Sequence, residues 1–298
     1  MATAVVKRPP DRLMASAGSR PVTAFVLSGG ASLGAVQVGM LEALYERQIV
    51  PDFLVGTSVG ALNAAFISSR PTAVETARKL ARVWRGLERE DVFPVSLSAL
   101  VSGVCGRRNH LVPDGALRRL VRRYLEFDRL ENAPIPLHLV AFDMTNGREL
   151  LLSHGSAEDA VAASAAIPGV FPPVSIDDRS LIDGGVVNNT PISHAVELGA
   201  QRIYVLPTQY PFRPMERVPG SAFDAALCGL GLLIGSRIET DIARYSSQVE
   251  LVMLPVPDTA GVQPTAFEHA SELIHSARVL TRTTLARDSD GRHLRVAS

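Results

Sequence analysis

The sequence predicts an α/β fold of three layers, α/β/α, with helices on both faces of a central, mostly parallel sheet. Three observations predict it. The run VTAFVLSGG (22–30) is apolar and ends in two glycines, and Gly34 to Gln48 then carries Val36, Met40, Leu41 and Leu44 at helical spacing. The stretch DFLVGTSVGALNAAFISS (52–69) repeats the order of strand, glycine turn and helix. RIYVLP (202–207) is a further apolar strand segment. These runs are continuously apolar, as strands buried on both faces are. Two strand–turn–helix units in succession need a parallel sheet covered by helices.

The other elements follow in order. Helical patterns occupy 72–86 and 114–126, the second opened by Asp114 behind Pro113. IPLHLVAF (135–142) reads as a strand, and Thr145-Asn146-Gly147 turns it into ELLLSH (149–154) as a hairpin. Ser156 with Asp159 starts a small-residue helix that Pro168 stops. SLIDGG (180–185) closes a strand, and Asn189-Thr190-Pro191 caps the helix after it. A long helix is expected over 222–247, a last strand over 249–254 and a closing helix over 267–286. With no internal repeat, low-complexity stretch or linker, the expected organisation is a leader over 1–20, one domain over 21–288 and a polar tail over 289–298.

Composition narrows the function. The chain of 298 residues is 46% hydrophobic but only 5% aromatic, so its core should be aliphatic. Thirty basic and thirty acidic side chains cancel, which leaves no overall field to attract nucleic acid. Cys105 and Cys228 stand far apart without metal-ligand spacing, and read as free thiols of a reducing compartment. No cluster of ligand residues implies calcium or zinc, and no cofactor is expected. The N-terminus has charges and adjacent prolines where a signal peptide needs an apolar core. The longest apolar run, 225–235, falls short of the roughly 20 residues of a membrane span. The expected location is cytoplasmic, with contact at a membrane surface as a possibility. Phe223 to Gly235 reads either as a membrane-facing flap or as a buried core helix, and Arg118-Arg119-Leu120-Val121-Arg122-Arg123, with Arg107 and Arg108 nearby, either as a face for anionic headgroups or as a solvated one.

Three motifs carry chemistry. Gly56-Thr57-Ser58-Val59-Gly60 matches G-x-S-x-G where a strand hands over to a helix. A nucleophile at such a turn has a strained backbone, and glycines on either side clear the space around it. A structural turn is the rival reading. Gly29-Gly30-Ala31-Ser32-Leu33-Gly34 also joins strand to helix. It lacks the Lys-Ser/Thr of a phosphate-binding loop and has Ala31 where a dinucleotide fingerprint needs glycine. That leaves an oxyanion hole or a packing turn. Asp183-Gly184-Gly185 puts an acid at a strand end, as either a catalytic group or an ordinary Asp-Gly turn. Asp177 and Asp178 read as turn acids.

In order and spacing these motifs resemble the patatin-like phospholipases, which are related to the catalytic domains of cytosolic phospholipase A2. Ala163-Ser164-Ala165-Ala166-Ile167-Pro168-Gly169-Val170-Phe171-Pro172-Pro173 is similar to the segment that family carries shortly before its catalytic Asp. The resemblance runs from about Val22 to Leu206. It implies Ser58 as nucleophile, Asp183 as general base, and the amides of Gly29, Gly30 and Ala31 as oxyanion hole, with Gly34, Gly56, Gly60, Gly184 and Gly185 supporting the motifs. It implies no metal, a lipid or other fatty acyl ester as substrate, and a covalent acyl-enzyme. The loop departs from the family's usual one at Ala31, in place of a third glycine, and at Leu33, in place of a frequent basic residue. Two rivals stay open. An α/β-hydrolase triad would need His194, His269, His275 or His293, with His269 the one to watch. A lipid-sensing or partner-binding module would keep the fold with little turnover.

Overall fold

The computed structural model describes residues 20–94, 110–209, 237–259, 262–263 and 265–289. Cys105, Arg107, Arg108, Cys228, His293 and the stretch from Phe223 to Gly235 lie outside them. Strand β1 (Thr23–Leu27) is buried throughout, as its unbroken apolar run requires. A 3-10 turn, Ala31–Gly34, leads from it into α1 (Ala35–Glu46). The second unit is β2 (Phe53–Thr57) and α2 (Val59–Ser68), with Ser58 as the residue between them. Next come α3 (Val74–Arg85), α4 (Arg89–Val92) and α5 (Gly115–Tyr124).

Strand β3 (Leu137–Asp143) turns back into β4 (Arg148–Leu152), the expected hairpin. Helix α6 (Ala157–Ser164) starts as its sequence foretold, Ser156 Oγ accepting the Asp159 N–H. A second hairpin follows, β5 (Val174–Ile176) with β6 (Arg179–Asp183). The sequence reading passed over β5, which is only three residues long. Asp177 and Asp178, at φ 47° and 60°, form the turn, the left-handed pair a two-residue hairpin loop needs. The chain continues through α7 (Gly185–Asn188), α8 (Ile192–Glu197) and β7 (Arg202–Leu206). A helix over 237–245 (α9), β8 (Glu250–Met253) and α10 (Ala270–Ser289) complete it.

The sheet has eight strands in the order β5-β6-β3-β2-β1-β7-β8, with β4 on the other edge of β3. The pairs β2–β3, β1–β2, β1–β7 and β7–β8 are parallel, and only the pairs involving β4, β5 and β6 are antiparallel. Alternation along β1 splits the core in two. Phe25 and Leu27 join the larger cluster with α1, α2, α3, α6 and α10, while Ala24 and Val26 join Ile192, Ala195 and Tyr245 on the opposite face. That is the expected three-layer arrangement.

One detail of register positions the site. Strand β2 occupies one edge of β3 as far as the pairing of Thr57 with Val140. Because β4 fills the opposite edge, β6 takes over the β2 edge at the next residue, pairing Asp183 with Ala141. Two strands thus abut end to end along β3, bringing Ser58 and Asp183 together.

Candidate active site

Ser58 has φ 56° and ψ −124°, a conformation that costs a non-glycine residue on the order of 1–3 kcal/mol. The surroundings hold it there. Its N–H meets both the carbonyl and the hydroxyl of Ser164, each at 3.1 Å, and Ser164 Oγ in turn donates to the Val140 carbonyl at 2.6 Å. The flanking glycines are close approaches. A Cβ on Gly56 would stand 2.7 Å from the Gly60 carbonyl oxygen, and one on Gly60 would stand 2.6 Å from the Leu27 carbonyl carbon. A Cβ on Gly34 would stand 2.9 Å from the Trp84 ring.

Asp183 ends β6 and is 5% exposed, against 7% for Ser58. Burial pushes its carboxyl up, against the lowering effect of hydrogen bonds from the Ser58 hydroxyl and the Gly185 amide, and leaves its pKa at about 6. The Gly185 N–H reaches Asp183 Oδ1 at 2.7 Å. Gly184 brings its turn against β3, where a Cβ would lie 2.6 Å from the Val140 carbonyl carbon.

The glycine-rich loop corrects one expectation. Gly29 does not offer its N–H to Ser58, since it goes to the carbonyl of Asn189 at 3.0 Å. Its own carbonyl accepts from Thr208 Oγ1 at 2.6 Å, so the peptides on both sides of Gly29 are fixed. The N–H groups of Gly30 and Ala31 take no acceptor among the described residues. Ala31 stands at φ 49° and lines the same cavity as Ser58. Leu33, in the place of a basic residue, is buried in the core.

Sequence reasoning missed the groups that brace this loop. Asn189 and Thr190, read as helix caps, turn toward it instead, Thr190 Oγ1 meeting Ser28 Oγ at 2.8 Å. Thr57 Oγ1 donates to the Asn188 carbonyl at 2.9 Å and ties β2 to α7. Below the loop, Gln37 Nε2 donates to the carbonyls of Ser28 (2.8 Å) and Leu206 (3.0 Å). Asn63 Nδ2 donates to Gln37 Oε1 at 2.8 Å, and Trp84 Nε1 to Asn63 Oδ1 at 2.9 Å. The sequence signal for them was a single amide side chain among apolar residues in the first half of each helix, Gln37 in α1 and Asn63 in α2.

Ser58 opens into a cavity walled by aliphatic and aromatic side chains of α2, α3, α5 and α6 together with Phe93, Phe171 and Phe267. No histidine among the described residues lines it. His194 is held by Glu149 at 2.6 Å and Glu197 at 3.1 Å, His269 faces Glu268 at 4.0 Å, and His275 is exposed. The basic run on α5 is partly neutralised, since Arg118 pairs with Asp114, Glu158 and Asp159, and Arg122 with Glu158.

A strained serine between strand and helix, beside a buried carboxyl and an apolar cavity, defines an α/β protein with a mostly parallel sheet and a sharp strand-to-helix turn at its candidate site. Comparison with known proteins narrows the class. The model of the patatin-like phospholipase family matches residues 25–196, and the chain belongs to that family. It is 31% identical over 166 residues to an uncharacterized NTE family protein of Mycobacterium tuberculosis, covering 56% of this chain and 27% of that protein. It is 28% identical over 186 residues to patatin-like phospholipase domain-containing protein 6 of Homo sapiens, covering 61% of this chain and 13% of that one. The chain therefore spans little more than a quarter, at most, of these relatives. Among solved structures, human GIVD cytosolic phospholipase A2 in complex with methyl gamma-linolenyl fluorophosphonate matches with a TM-score of 0.47 and 12% identity, over 91% of this chain and 58% of that one.

Proposed function

We propose that this chain is a serine acyl hydrolase that cleaves fatty acyl esters of lipids through a Ser58–Asp183 dyad. The observation that carries the reading is the buried Asp183 carboxyl, which burial raises to about 6 and which the sheet register sets beside Ser58 at an apolar cavity. A carboxyl in that range is ionised at neutral pH yet basic enough to take a proton in the transition state. Ser58 Oγ attacks the ester carbonyl while Asp183 accepts its proton. The Gly30 and Ala31 amides stabilise the oxyanion, and the alcohol departs with the proton. Water, activated by the same carboxylate, then cleaves the acyl-enzyme. No helix among the described residues is long and apolar enough to cross a membrane, so the proposal has the protein meet its substrate at a lipid surface.

The test is labelling by a fluorophosphonate probe together with p-nitrophenyl ester turnover. Ser58→Ala should abolish both, Asp183→Asn should lower turnover by at least about 10³-fold, and His269→Ala should leave both unchanged. Loss of turnover in His269→Ala would replace the dyad with a triad. A folded wild type that neither labels nor turns over would make the fold a lipid-binding module.

A further inference from the structure

The cavity at Ser58 follows one face of α2, where Ser58, Leu62 and Phe66, each one turn apart, all line it. At about 1.5 Å rise per residue, Phe66 stands about 12 Å from Ser58 along the helix. One turn beyond Phe66, outside the cavity's lining, stands a charged group. The Phe66 ring packs on Tyr124, centroids 5.9 Å apart. The Arg70 guanidinium lies 3.9 Å over the Phe66 ring and donates to the carbonyls of Phe66 and Tyr124, each at 2.8 Å. Arg70 also pairs with Glu126 at 2.7 Å. A methyl group driven past Phe66 would have to part this guanidinium from its acceptors, which burial makes costly.

From this geometry we infer that Phe66, Tyr124 and Arg70 form a chain-length stop for the acyl group. The inference rests on the reading of Ser58 as the residue that receives the acyl carbon. An extended alkyl chain advances about 1.3 Å per carbon for bonds of about 1.5 Å, so about 12 Å accommodates acyl groups of roughly nine or ten carbons. Longer chains meet the stop before the acyl carbon reaches Ser58 and gain nothing from the added methylenes.

Two readouts test it. One is kcat/KM for p-nitrophenyl esters of four to sixteen carbons. The other is binding of saturated fatty acids of six to sixteen carbons to Ser58→Ala by calorimetry, which needs no catalysis. Affinity should rise about fourfold per methylene up to roughly ten carbons and then level off, with kcat/KM breaking at the same length. Phe66→Ala, which frees about one helical turn, should move the break up by about four carbons. Leu62→Trp, which projects a ring into open cavity about 6 Å from Ser58, should move it down to roughly five, and it keeps the test decisive if Phe66→Ala does not fold. An unbroken rise to sixteen carbons, or a break that neither variant moves, overturns the stop. A break in binding without turnover of any ester keeps the stop and removes the hydrolase reading. Turnover with no break does the reverse.

Discussion

At the scale of single residues the structure makes opposite demands of its two central side chains. Ser58 carries backbone strain that its own Cβ causes. Replacing it with Gly should raise the melting temperature relative to Ser58→Ala by the equivalent of about 1 kcal/mol, since Ala keeps the Cβ at φ 56° and Gly does not. Paired thermal melts of the two inactive variants check this. Asp183 carries the cost of a buried charge. Its pKa of about 6 lies above the ordinary Asp value, so its stabilising contribution is full below pH 4 and is lost as pH rises through 6. Asp183→Asn should therefore be more stable than wild type at pH 8, by on the order of 3 kcal/mol, and show no such gain at pH 4. For turnover the sign reverses. Below pH 6 the carboxyl is protonated and cannot accept the serine proton, so kcat/KM should fall tenfold per pH unit and level off above pH 7. The motifs around both residues were legible because each is a short local pattern with a steric cause. The orientation of the Gly29 amide was not, because it answers to Asn189 and Thr208, and Thr208 is 179 residues away.

At the scale of elements, helix α5 forms one wall of the cavity and is fastened to α6 by two guanidinium groups, with Arg118 at the centre and Arg122 pairing with Glu158 at 2.7 Å. Arg118 meets Asp114 at 2.5 Å, Asp159 at 2.7 Å and Glu158 at 3.2 Å. Burial alone would raise the Asp159 carboxyl, but the hydrogen bonds from Arg118 and Ser156 outweigh it and hold the pKa below its ordinary value. This contribution is present at neutral pH and is lost as pH falls through that lowered pKa. Arg118→Ala removes the shared partner of Asp114, Glu158 and Asp159 and leaves their carboxylates facing one another, with only Glu158 still paired to Arg122. It should cost roughly 1–2 kcal/mol, and the gap from wild type in urea melts should narrow in 1 M salt because screening relieves their repulsion. The sequence showed the helix and its basic run but not the acids from α6 that meet it. Asp114 illustrates why. Its position at the helix start suggested a cap, yet its side chain makes no cap hydrogen bond and pairs with Arg118 instead. Local capping rules cannot anticipate a partner arriving from a neighbouring helix.

At the scale of the whole molecule, the layers and the parallel sheet could be read from the periodicity of the strands and the glycine turns between them. Strand order, and the handover from β2 to β6 along one edge of β3, could not, since any strand of that composition pairs equally well in several places. That handover has a consequence in time as well as in space. The segments around Ser58 and Asp183 form early and locally, but the two residues meet only when β3 has accepted both strands, and the loop at Gly29 is fixed only when Thr208 arrives after β7. Contacts so distant along the chain are the slow ones to close. During refolding, the capacity to label Ser58 should therefore return with the last phase, after most of the helical signal has recovered. Intermediates on the way would be well formed and inert, and activity would report completion of the fold.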